Sequence, residues 1–336
     1  MKNEKQSLME ELKEKVKSNP KKIVFPEGED EKILKTTELI VKEKIGYPVV
    51  LGNEERIKKK ASELNVSLEG VKIVEPASSS QLDRYVNIYK KSSSISEGAA
   101  IRLLKRPIYY GAMMVKSGDV DGMVAGRVYE TSTVIMASEL VIGMQEGITT
   151  PSSFFVMNIP DFEGGESGML IFADCVVNAD PNAEQLADIA IASANSAKVL
   201  LGWEPRVAML SFSTKGSSIE PPVEKVIKAT EIVKKKRPDI LVDGELQVDA
   251  AIIPEIAKRK IKGESPVAGK ANILIFPDLN SGNIGIKLTQ RLAKADAYCS
   301  LQGFAKPVSD LSRGATINDI LGAFIMTSAQ VKGRER

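Results

Sequence analysis

Residues 22–52, KIVFPEGEDEKILKTTELIVKEKIGYPVVLG, set the architecture. Lys22-Ile-Val-Phe25 is a short apolar run stopped by Pro26, the pattern of a buried strand. Glu31 to Lys44 carries helical patterning, and Pro48-Val-Val-Leu51, closed by Gly52, is a second apolar run. Strand, helix and strand at this spacing predict a parallel sheet with crossover helices. Before it, residues 7–18 read as a helix with Leu8, Leu12 and Val16 at four-residue spacing. No Gly-x-Gly-x-x-Gly opens the helix after the first strand, so Gly28 does not mark a dinucleotide site. The acids Glu27, Glu29, Asp30 and Glu31 read as a solvated helix start.

The same alternation continues outward. Lys90, Lys91 and Ser92 to Ser94 form a polar break. Val120-Asp-Gly-Met-Val-Ala-Gly126 reads as a strand running into a glycine turn, either a ligand-binding strand end or a plain turn. Phe154–Met157 and Met169–Phe172 resemble a hairpin. Asp180-Pro181 suggests an N-cap with proline at the first helical position. Leu186, Ala190, Ala194 and Ala197 then line one face, a core or subunit contact. Val207-Ala-Met-Leu210 leads into Ser211, Ser213, Thr214, Lys215 and Gly216. Hydroxyls, a lysine and a glycine after a strand suit a phosphate cradle of backbone N–H groups, with a plain loop as the alternative. Ile240–Asp243 and Ile273–Phe276 are further strand candidates.

At 336 residues the chain has room for two domains. A formal charge of +2 argues against a nucleic-acid partner. No apolar run reaches the roughly 18 residues of a membrane helix, and Met1–Gln6 lacks the apolar core of a signal peptide. Two cysteines, Cys175 and Cys299, suit a reducing cytoplasm. Histidine is absent, which removes Ser-His-Asp and Cys-His mechanisms and the commonest metal ligand. No metal site is expected, and any general base must be Asp, Glu, Lys, Tyr or Cys.

Near the C-terminus, Ser309-Asp-Leu-Ser-Arg-Gly-Ala-Thr-Ile-Asn-Asp-Ile320 places a hydroxyl, a guanidinium and a glycine in a row at Ser312, Arg313 and Gly314. The arginine fork suits phosphate or carboxylate. Thr316 is placed to cap a helix from Ile317, with Asp319 in its first turn. An anion site and an exposed arginine on a capped loop both fit these residues.

Lys306-Pro307 with Asp310-Leu-Ser-Arg-Gly314 resembles the C-terminal signature of the phosphate acetyltransferase, or phosphotransacetylase, family. So do Asp243–Ala251, Ser265–Asn272, Ile275–Leu279, Ala208–Gly216 and Phe172-Ala-Asp174, and the likeness runs from Phe25-Pro-Glu-Gly28 to the end. The resemblance implies two three-layer α/β/α domains with mostly parallel sheets and an active-site cleft between them. It implies residues 1–148 plus 300–336 as the first domain and 149–299 as the second. It further implies acetyl transfer between coenzyme A and phosphate, with coenzyme A as substrate, acetyl phosphate as product, no permanently bound cofactor, and a homodimer.

By motif, Asp319 is the expected base for the thiol, while Ser312 and Arg313 hold phosphate or the developing oxyanion. Arg291 would add a second positive charge. Unperturbed thiol and aspartate pKa values, about 8.5 and 3.9, make full proton transfer cost roughly 6 kcal/mol. The expectation is therefore that burial raises Asp319 and that Arg313 or Arg291 stabilises the thiolate. The family commonly carries an arginine where Met136 stands, and Arg127 is a candidate to supply that charge. Lys90 and Lys91 stand where a second arginine is expected. Alternative readings are propanoyl or butyryl transfer, a non-catalytic homologue, and a dehydrogenase of similar two-domain shape that lacks the dinucleotide fingerprint.

Overall fold

The computed structural model describes residues 8–331. They divide into two compact units, one running to Gly143 and resuming at Phe304, the other spanning Met144–Gly303. The first begins with α1 (Leu8–Ser18), β1 (Lys21–Phe25), α2 (Glu31–Lys42), β2 (Gly46–Leu51), α3 (Glu54–Glu63) and β3 (Lys72–Val74). It continues through α4 (Leu82–Ser92), α5 (Glu97–Leu104), α6 (Pro107–Ser117), β4 (Gly122–Ala125) and α7 (Thr131–Ala137). The second unit contains β5 (Ser152–Asn158), β6 (Met169–Ala173), α8 (Ala183–Ser196), β7 (Arg206–Leu210), α9 (Pro221–Lys236) and β8 (Leu241–Leu246). It ends with α10 (Val248–Ile252), α11 (Pro254–Lys260), β9 (Ile273–Ile275), α12 (Leu279–Leu292) and β10 (Asp296–Gln302). The chain then returns to the first unit as β11 (Val308–Asp310) and α13 (Ile317–Ala329).

In the first unit the strand order is β11-β4-β1-β2-β3, and every pairing is parallel. Ile23, Val24 and Phe25 are wholly buried, which is why β1 reads as an unbroken apolar run. Each such side chain contributes roughly 1.5–3 kcal/mol. Phe25 stacks on Phe324 of α13 with ring centroids 6.2 Å apart. At Gly46 a Cβ would sit 2.4 Å from the Phe324 ring, so glycine is what lets α13 approach the sheet. That packing fixes the helix behind the Ser312–Gly314 loop. α2 stops at Lys42 rather than Lys44, because Lys44 turns left-handed with φ of +56°.

The second unit has the order β10-β5-β6-β9-β7-β8. β5 runs antiparallel to both of its neighbours, β10 and β6, the latter pair forming the hairpin expected for residues 154–172, and the remaining pairs are parallel. β10 pairs with β5 along all of Asp296–Gln302, so the chain belongs to this sheet past Ser300 and crosses back only at Phe304. The α8 cap also differs from expectation. Asn182, not Asp180, accepts from Gln185 N, and the Gln185 side chain accepts from Asn182 N. This reciprocal box satisfies two helix-end donors, while Asp180 pairs with Lys225. Leu186, Ala190, Ala194 and Ala197 are buried in the core.

Candidate active site

Glu27 lies just past β1, after Pro26, and is buried. Its carboxylate accepts four backbone amides in succession: Gly126 at 3.2 Å, Arg127 at 3.0 Å, Val128 at 2.7 Å and Tyr129 at 2.8 Å. The reading of these acids as a solvated helix start is therefore corrected for Glu27, while Glu29 and Glu31 are exposed at the start of α2 as expected. Burial of a carboxylate is tolerable here because its charge is met by directed N–H donors. Asp30 is also engaged, capping α2 through Lys32 N and Ile33 N and pairing with Arg127 Nη2 at 3.2 Å. Arg127 is thus turned inward at 11% side-chain exposure, not outward as a free substitute for an arginine at position 136. Met136 is half exposed, and its sulfur accepts from the Tyr109 hydroxyl at 3.8 Å.

Across the Gly126 turn lies the strand that delivers the C-terminal loop. Gly126 has φ of +107°, and a Cβ there would meet Asp310 Oδ1 at 2.3 Å. Leu311 N donates to Ala125 O at 2.7 Å, continuing the β11–β4 ladder by one residue. Asp310 Oδ2 accepts from the Thr131 hydroxyl at 2.5 Å, and Oδ1 is buried without a hydrogen-bond partner. Burial pushes the Asp310 carboxyl up to about 6, with the Glu27 charge adding to the rise and Thr131 opposing it.

Ser312, Arg313 and Gly314 are exposed on the loop that follows. Ser312 Oγ accepts from Gly314 N at 3.2 Å, Ala315 N returns to Ser312 O at 2.9 Å, and Lys32 Nζ holds Ala315 O at 2.8 Å. Arg313 Nη2 pairs with Glu130 Oε1 at 3.2 Å. Thr316 caps α13 as expected, its hydroxyl accepting from Asp319 N at 3.2 Å. Asp319 Oδ2 in turn accepts Thr316 N and Oγ1, each at 2.8 Å. Asp319 is exposed, so the expected burial of this carboxylate is not found. It lies in the exposed first turn of α13, before the stretch Ala323–Ala329 that is buried against the sheet.

The other expected ligands are placed as follows. Lys90, on α4, pairs with Glu97 at 2.7 Å. Arg291 is exposed in the last turn of α12. Ser213, Thr214, Lys215 and Gly216 follow β7, but their amides already have acceptors. Gly216 N goes to Glu245 Oε1 at 2.7 Å, Lys215 N to Glu245 O, Thr214 N to Ser217 Oγ and Ser213 N to Ser211 Oγ. An open cradle of N–H groups is therefore not present there. Lys215 instead contacts the buried Asp243 and donates to Gly244 O at 2.9 Å. Asp243 is held below the usual carboxylate range by Lys215 and Ser265, against the effect of burial. Among the described residues, no group of three Cys, Asp or Glu could hold a metal ion, and burial pushes the Cys175 thiol well up.

Residues 7–328 match the family model described as "Phosphate acetyl/butaryl transferase". The chain belongs to this family. It is 47% identical over 330 residues to a phosphate acetyltransferase of Thermoanaerobacterium thermosaccharolyticum, covering 97% of this chain and 100% of that one. A phosphate acetyltransferase of Acetivibrio thermocellus is likewise 47% identical over 330 residues, covering 97% and 98%. Among solved structures, a phosphotransacetylase from Streptococcus pyogenes superposes with a TM-score of 0.89 at 40% identity, covering 96% of this chain and 98% of that one.

Around the Ser312-Arg313-Gly314 loop, Glu130 escaped the sequence reading, and Glu27, Asp30 and Asp310 were read there without their partners. Asp310 was quoted in the signature, and its spacing from Ser312 was a usable signal. Glu27 offered only its place after a strand-ending proline.

Proposed function

We propose that this chain is a phosphate acetyltransferase, moving an acetyl group reversibly between coenzyme A and phosphate. Full-length identity to proteins of that name supports the activity. One observation supports the placement of the chemistry: β11 delivers an exposed serine and arginine directly onto the capped first turn that carries Asp319.

In this reading coenzyme A is a substrate. Its thiol loses a proton to Asp319, the sulfur attacks the acetyl carbonyl carbon, and the carbon–oxygen bond to phosphate breaks. Phosphate departs with the electron pair of that bond. Ser312 and Arg313 hold the phosphate or stabilise the tetrahedral oxyanion. Reference thiol and carboxyl groups are separated by a gap of roughly 6 kcal/mol that the reaction must close. Stabilisation of the thiolate by arginine, or proton transfer concerted with attack, closes it. Lys90 serves substrate binding through its ammonium group, exchanging the exposed Glu97 for the ligand.

The chain acts as a cytoplasmic homodimer, and an exposed stripe on α12 (Ile284, Leu288 and Leu292) supports pairing. The test of function is coenzyme A-dependent release of phosphate from acetyl phosphate by purified protein without added metal. Turnover fastest with acetyl phosphate is expected; folded protein inactive with acetyl, propanoyl and butyryl phosphate alike would overturn the reading.

A further inference from the structure

The exposed guanidinium of Arg313 already has an anion beside it, the Glu130 carboxylate at 3.2 Å. Glu130 is held in place from both sides. Gly126 to Tyr129 before it donate four amides to Glu27, and Thr131 after it donates its hydroxyl to Asp310. Those two carboxylates stand at the ends of β1 and β11, which flank β4 in the sheet. Residue 130 is thereby fixed at the N-cap of α7, facing the arginine. Asp310 also lies on the segment that presents Arg313, so one short stretch of chain positions the cation and anchors its counter-charge.

We propose that Glu130 is an internal competitor for the phosphate group that Arg313 binds, occupying the guanidinium in the free protein and being displaced by a phosphate-bearing ligand. This rests on the reading of Arg313 as a phosphate ligand. Both side chains are 69% exposed, so the pair is weak and readily exchanged. A dianionic phosphate offers more charge and a bidentate geometry, and wins the exchange. A singly charged carboxylate of similar size gains nothing over Glu130 itself. The device thus lowers affinity for all anions and preserves selectivity for phosphate.

The test is titration calorimetry of inorganic phosphate into the full chain at fixed ionic strength, for the wild type and for Glu130→Gln, Glu130→Asp and Arg313→Gln. Glu130 is exposed, and replacing it leaves no cavity. Glu130→Gln is expected to tighten phosphate binding about two- to fivefold. The KM for phosphate should fall in parallel with acetyl-coenzyme A as cosubstrate. Glu130→Asp should return binding toward the weaker wild-type value. Unchanged or weaker binding in Glu130→Gln overturns the proposal. Wild-type binding by Arg313→Gln also overturns it, and shows that the failure lies in the role given to Arg313 rather than in the competition.

Discussion

The carboxylate of Asp319 is divided between its two oxygens. Oδ2 closes the capping box with Thr316, while Oδ1 has no hydrogen-bond partner among the described residues and is the oxygen that the proposed proton transfer would use. Asp319→Asn keeps an acceptor for the cap and removes the proposed base. Turnover is expected to fall about 10²- to 10⁴-fold with little change in melting temperature. Near-normal turnover would remove Asp319 from the chemistry. Asp310 gives a separate signature. Its carboxyl is raised to about 6, against about 3.9 in an unfolded chain. The folded state therefore holds this proton more tightly. The stabilising contribution is complete below about pH 4 and is lost as pH rises through about 6. Relative to Asp310→Asn, the wild type should lose up to about 3 kcal/mol of unfolding free energy between those values. A pH-independent difference between the two proteins would contradict this.

At the scale of elements, the Gly126–Tyr129 turn depends on a side chain from another strand. Glu27→Ala leaves four amides without their acceptor and should destabilise the protein by about 2–4 kcal/mol in denaturant unfolding. A cost under about 1 kcal/mol would mean that water replaces the carboxylate. The contrast with β1 marks what was legible in the sequence. Burial on both faces forces an apolar run at Ile23–Phe25, and a run can be read locally. Glu27 takes its meaning from donors 99 to 102 residues further on. The Thr316 cap was readable because its partner is three residues away; the Arg127–Asp30 pair was not, its members standing 97 positions apart. Likewise the Ser213–Gly216 loop has the composition of a phosphate cradle, and only the fold reveals Glu245 beneath it.

For the whole molecule, the α12 stripe carries the assembly prediction. Ile284, Leu288 and Leu292 are 57%, 52% and 79% exposed at four-residue spacing, an apolar face without cover in a single chain. Leu288→Asp should convert a dimeric wild type to a monomer by light scattering, with each unit still folded. A monomeric wild type would dismiss the homodimer. Local pattern identified the strand–helix alternation of both units, while the return of the chain to the first sheet came from family resemblance, since three residues of β11 carry too little periodicity to assign them to a partner.

That return has a consequence for synthesis. β11 and α13 reach the first sheet only after residues 144–303 have been made. At about 5–20 residues per second, the ribosome takes roughly 8–30 s to make them. Throughout that interval β4 has an unpaired edge, and the face of β1 and β4 that α13 covers is bare. The edge of β4 and the face under α13 are therefore the last parts of the first unit to be covered, and a translational stall in the intervening segment prolongs their exposure.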